Sequence, residues 1–273
     1  MNNTAMRKIR AILVKEWREL LQQKSLVAML IFLPALFTVL PIVALFIIGH
    51  VSEADLLKGT NLNQYRTLLD LDPALAAMSV TEMTQALIGK QMSIMFLILP
   101  IFIPGSIAAY SVVGEKTHRT LEPLLATPIR TWELMLAKSL VAFIPTLLMT
   151  YVAGLLVIGG VSLFAVSPAV RDSILTPAWL MLFAIGSPLI ALISITLTII
   201  ISSRVNDPRT AQQATAVLII PLIGLVLAQV TGLLVLRPEL IAIVLIVLFI
   251  AAILSIYIAG RIFDREAILT RWS

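Results

Sequence analysis

Few residues in this chain could do chemistry. There are two histidines, His50 and His118, and no cysteine. The lack of thiols removes disulfides, thiolate metal sites and cysteine nucleophiles. His50 closes one long apolar run and His118 follows another, which puts the two rings on opposite sides of a membrane. They cannot share a metal or a catalytic site. A Gly-x4-Gly-Lys-Ser/Thr phosphate loop is absent, and Gly89-Lys90 lacks both the first glycine and the hydroxyl. Neither Gly-x-Ser-x-Gly nor His-Glu-x-x-His occurs. The chain is therefore expected not to be an enzyme, with no catalytic, cofactor or metal residues of its own.

The charged residues sort by position instead. Only 13% of the 273 residues are charged and 59% are apolar. Charges vanish from Ser25–Ser52, Gln91–Gly114, Ser139–Val170, Ser173–Ser203, Thr210–Leu236 and Leu240–Gly260. The shortest run has 21 residues, and a helix needs about 20 to cross the hydrocarbon core. The runs are continuous rather than alternating, so they read as helices and not as barrel strands. The expected fold is an all-α membrane protein with six transmembrane helices, at about 26–48, 91–113, 138–160, 178–202, 212–235 and 239–260. The whole chain, 1–273, reads as a single transmembrane domain. Its polar, charged N-terminus and overlong first run exclude a cleaved signal peptide.

An even number of spans puts both termini on one side. Counting loop by loop, 15 of the 20 Lys and Arg fall on that side and five on the other. The positive-inside rule then makes both termini cytoplasmic. The basic balance reflects this topology rather than a nucleic-acid partner, since the charges are scattered over four segments.

Residues 7–24 show helical periodicity. Ile9, Ile12, Leu13, Trp17, Leu20 and Leu21 share one face, and Lys8, Lys15, Arg18, Glu19 and Gln22 the other. The expectation is an amphipathic helix in the headgroup plane, with its apolar stripe in lipid. Residues 50–90 form the one long external segment. Asp72-Pro73 and the capping box Ser79-Val80-Thr81-Glu82 start helices there, the second running inward as one long helix bent near Pro100 and Pro104. Ser167-Pro168, Thr176-Pro177 and Asp207-Pro208 repeat this cap-then-proline signal, Thr176-Pro177 opening span 4 and Asp207-Pro208 span 5. The span interiors carry hydroxyls, amides and aromatic rings but no charge: Ser93, Ser106, Thr146, Thr150, Tyr151, Ser194, Thr196, Thr198, Gln229 and Tyr257. In lipid such groups are chiefly helix-packing contacts. Ion-coupled carriers keep ionisable groups near the midplane. With none here, any driving energy should enter from outside the spans.

The segment between spans 2 and 3, Gly114–Lys138, is the most informative. Thr120 can cap a short helix, and Thr127-Pro128 ends it after about two turns. Leu121, Leu124 and Leu125 form its apolar face beside His118, Arg119 and Glu122. This is a peg suited to docking another protein.

The pattern Gly114-Glu115-Lys116…Thr120-Leu121-Glu122-x-Leu124-Leu125-Ala126-Thr127-Pro128…Glu133-Leu134…Lys138 resembles type 2 ABC exporter permeases. So do Lys15-Glu16-Trp17-Arg18-Glu19-Leu20, the turn Asp207-Pro208-Arg209-Thr210-Ala211-Gln212-Gln213 and the end Phe263-Asp264-Arg265-Glu266. The resemblance runs over nearly the whole chain. It implies two six-span permeases, identical or different, in the plasma (inner) membrane, and two separate cytoplasmic ATPase subunits that bind ATP and Mg. The N-terminal helix, with Lys15, Trp17 and Arg18, becomes the connecting helix. Residues 115–131 become the coupling region, in which His118, Arg119, Leu121, Glu122, Leu124 and Leu125 meet the ATPase. Glu115 matches an acidic residue that joins a polar network with the coupling and connecting helices. Leu236-Arg237-Pro238 leaves little room for the re-entrant external helix many such permeases carry, and the 50–90 segment is the expected substitute.

The expected function is thus the permease subunit of an exporter. The uncharged interior suits a lipid, an apolar drug or a peptide better than a charged solute. Two competing readings are weaker. A membrane scaffold that only holds partners would be expected to carry a soluble domain, and an intramembrane enzyme would need ionisable groups in the spans.

Overall fold

The computed structural model describes residues 3–58, 77–117, 131–205, 207–230 and 238–262. Among them all regular structure is helical. An N-terminal helix, Asn3–Gln22, precedes six helices long and apolar enough to cross a membrane: Lys24–His50, Val80–Gly114, Trp132–Phe164, Pro168–Ser202, Pro208–Leu227 and Glu239–Arg261.

The helix starts follow the capping chemistry of the sequence. Ser79 and Glu82 form the reciprocal box, with the Ser79 amide donating to Glu82 Oε2 at 2.8 Å. Thr176 and Asp207 cap the helices that begin at Pro177 and Pro208. Ser167 adds a further cap before Pro168, so the fourth span starts earlier than its apolar run. Asp72-Pro73 lies outside the described residues. The second span runs through a 3-10 turn, Phe96–Ile98, just ahead of Pro100, which has no amide to return to Phe96. The helix of the third span begins at Thr131, about two turns before its apolar run. The fifth starts at Pro208 and its helix continues to Val230.

The second span is the most buried, packed between the third, fourth and fifth. Small residues let it in. A Cβ on Gly105 would lie 3.1 Å from Ser194 Oγ, 3.3 Å from Thr198 Oγ1 and 3.4 Å from a Thr215 methyl. Hydroxyls cross-link this centre, as expected of polar groups in lipid. Ser194 donates to the Ile101 carbonyl at 2.6 Å, Thr198 pairs with Thr215 at 2.9 Å and Thr196 with Ser255 at 2.8 Å. Gln212 donates to Ser106.

The third and fourth spans meet where Gly154 faces Phe183. A Cβ on Gly154 would stand 2.1 Å from the Phe183 ring. That ring cannot swing aside freely, because it stacks on Trp179 with centroids 5.3 Å apart and lies edge-on to Phe96 and Tyr151. Gly154→Val should therefore cost about 1–3 kcal/mol, the range for overpacking a filled core. The check is the thermal midpoint of the purified chain in detergent, with Gly159→Val as the control. A Cβ on Gly159 meets nothing within 4 Å.

Carbonyls that lack a donor in their own helix explain several long-range hydrogen bonds. A proline in a helix leaves the carbonyl four residues back without its donor, and in lipid no water replaces it. Pro145 orphans Val141, and the Trp17 indole donates to that carbonyl at 3.3 Å. Phe164 ends the third helix, which leaves its carbonyl without an intrahelical donor, and Gln85 Nε2 donates there at 3.2 Å. Pro188 orphans Ala184, inside the π-turn Leu182–Gly186, and the Tyr151 hydroxyl donates there at 2.9 Å. Each bond ties one helix to another.

Candidate functional site

The N-terminal helix does not spread its apolar stripe in lipid. Ile9, Ile12 and Leu20 are buried, the first two against Leu134 and Ala137 of the third span. The stripe found a protein surface because the third helix starts early and presents its first turns to it. Leu21 is left exposed, and so is much of Trp17.

Glu16 sits within that buried stripe. Its side chain is 5% exposed, and so is that of Lys138. Lys138 Nζ lies 3.2 Å from Glu16 Oε1, 2.9 Å from Ser111 Oγ and 3.1 Å from the Ser111 carbonyl. Ser111 Oγ donates to Glu16 Oε2 at 2.7 Å. The ammonium thus uses all three of its donors and both carboxylate oxygens are engaged. Three elements close the ring: the N-terminal helix, the end of the second span and the start of the third. Nearby, Lys8 approaches Glu133 at 3.9 Å, with Glu133 buried.

Trp17 adds the bond to Val141. Trp17→Phe should cost about 1 kcal/mol, the usual net value of one hydrogen bond. In a Pro145→Ala background the cost should shrink towards zero, since the restored amide can serve Val141 itself. A double-mutant cycle in thermal unfolding measures the difference.

The sequence matches the family described as ABC-2 family transporter protein over residues 10–238. The chain belongs to that family. No curated protein matches it by sequence. It is thus a multi-pass membrane protein and the permease component of an ABC transporter, a transport component that is not itself catalytic. ABC-2 permeases generally work with an ATPase subunit in the membrane.

The positions singled out in this ABC-2 sequence fare differently. Lys15 is exposed and pairs with Glu19 at 3.4 Å along the outer face of the N-terminal helix. Trp17 docks on the third span, and Arg18 is exposed. His118, Arg119, Leu121, Glu122, Leu124 and Leu125 lie outside the described residues. Glu115 is in the helix that ends at Thr117, with its side chain outside the described set. The charges brought together in the described residues, Glu16, Lys138 and Glu133, are part of the family pattern, but the sequence reading gave them no role of their own. A signal was present. With Ile9, Ile12, Leu13 and Leu20, Glu16 completes the helical spacing of the apolar face, where a carboxylate has no reason to be unless something meets it.

Proposed function

We propose that this ABC-2 permease is the path of an exporter, driven by ATP that a separate subunit hydrolyses. Its termini and the 115–131 segment lie in the cytoplasm, and the membrane is the plasma (inner) membrane. A second permease, a copy or a different chain, completes the path. The ATP and Mg belong to the ATPase partner. Residues 1–273 form one transmembrane domain, in which 7–24 act as connecting helix and 115–131 as coupling region.

One observation carries the reading. The Glu16–Ser111–Lys138 ring joins the N-terminal helix to both stems of the connection that holds residues 118–130. A push on that connection reaches the end of the second span and the start of the third. Moving the third-span stem alone breaks a buried ion pair, which is costly, and moving the second-span stem alone breaks the Ser111 hydrogen bonds to both members of that pair. The N-terminal helix therefore travels with the stems, and the movement enters the spans where they pack most tightly. Glu115 and His118–Leu125 would take the push from the ATPase. Lys15, Trp17 and Arg18 lie on the helix that carries it.

The test replaces both Leu124 and Leu125 by Glu in the permease co-expressed with its candidate ATPase. Loss of co-purification, or ATPase activity no longer responsive to the permease, is the expected result. If the double substitution leaves both intact, the coupling assignment fails.

A further inference from the structure

The N-terminal helix stands off from the spans on one side. It bounds a cleft of about 710 Å3 together with the start of the first span, the end of the second and Pro208 at the start of the fifth. That volume lies within the range of small-molecule sites, about 300–1,000 Å3. The walls are of two kinds. Lys15, Glu16 and Glu19 supply charge, while Leu26, Ile107 and Val141 supply apolar surface.

Among the described residues the charge on the walls balances. Glu16 is neutralised by Lys138, and Lys15 lies 3.4 Å from Glu19. The Lys15 and Glu19 side chains are 43% and 52% exposed. Such a pair contributes little to stability and exchanges partners readily. The depth is equally informative. The first span begins at Lys24, the second ends at Gly114 and the fifth begins at Pro208. The cleft is therefore at the level where lipid head groups meet the hydrocarbon core.

We propose that this cleft binds the head group of a zwitterionic phospholipid. The phosphate lies towards Lys15 and the ammonium towards Glu19, so each protein charge exchanges one partner for another. The acyl chains leave along Leu26, Ile107 and Val141. An anionic lipid would bring one charge with no counterpart in a balanced wall. Because Glu16 and Ser111 both line the cleft, an occupant touches the same ring that braces the 118–130 connection.

The test titrates the full-length chain in detergent with short-chain phosphatidylethanolamine, phosphatidylglycerol with the same tails, and inorganic phosphate. Saturable binding of phosphatidylethanolamine is expected, with the other two at least about tenfold weaker. That is the loss expected for one charge-assisted hydrogen bond. Glu19→Gln should weaken phosphatidylethanolamine by a similar factor. Gly114→Leu should block it, since Gly114 lines the cleft and a Cβ there meets nothing within 4 Å. Equal binding of the two lipids, phosphate binding as tightly as lipid, or no effect of either substitution would each overturn the proposal. If Gly114→Leu fails to fold, the exposed Glu19→Gln decides alone. The assay contains no ATPase, so its failure leaves the exporter reading standing, and failure of the coupling test leaves the lipid site standing.

Discussion

Replacing Lys138 with Met should destabilise the protein by about 3–5 kcal/mol, the range for breaking one partner out of a buried ion pair. The cost arises from what remains. Glu16, 5% exposed, would lose the ammonium at 3.2 Å while keeping the bond from Ser111 Oγ. Glu16→Gln should cost less, because its amide still reaches Ser111. The double variant Glu16→Gln with Lys138→Met should recover much of the loss, since no charge is then buried alone. Thermal unfolding of the four proteins in one detergent supplies the cycle. A double variant as unstable as the sum of the singles would mean that the two residues are not coupled and that the brace is not a unit.

The second large effect is at the opposite end of the bundle. Gln85 is fully buried and serves three groups at once. Its Nε2 donates to the Leu45 carbonyl at 2.7 Å and the Phe164 carbonyl at 3.2 Å, and its Oε1 accepts from the Val166 amide at 3.0 Å. One side chain thus holds the ends of the first and third spans to the second. Gln85→Met keeps the volume and loses every bond. The Phe164 carbonyl and the Val166 amide would be left without these partners, at about 1–3 kcal/mol each. A fall in thermal midpoint should accompany faster hydrogen exchange at the Val166 amide. Unchanged exchange there would show that the clamp is replaced by another donor and acceptor.

These two sites differ in how far the sequence exposed them. Six spans and their capped starts were legible, because length, hydropathy and capping are local properties. Ser79-Glu82, Thr176 and Asp207 each cap the helix expected of them. The 3-10 turn of the second span is local too, since Pro100 acts on its own preceding turn. The amphipathic N-terminal helix was legible as a pattern, but its partner was not. An apolar stripe packs equally well on lipid or on protein. Only the early start of the third helix, which brings Leu134 and Ala137 within reach, decides for protein.

Sequence by itself also showed that the spans hold hydroxyls, amides and prolines but no charges. It could not say which carbonyl left without a helical donor would be served by which neighbour. Trp17 with Val141, Gln85 with Phe164 and Tyr151 with Ala184 are joined across long stretches of chain, and no local rule links them.

What the sequence determined was what neighbours along the chain set: six helices long and apolar enough to cross a membrane, their limits to within a few turns, and their capped starts. What only the tertiary structure decided was which polar groups meet. Glu16 and Lys138 are ordinary residues at helix edges until packing withdraws both from water. A charge taken out of water must find a partner at hydrogen-bond distance, and that partner is a matter of three-dimensional packing.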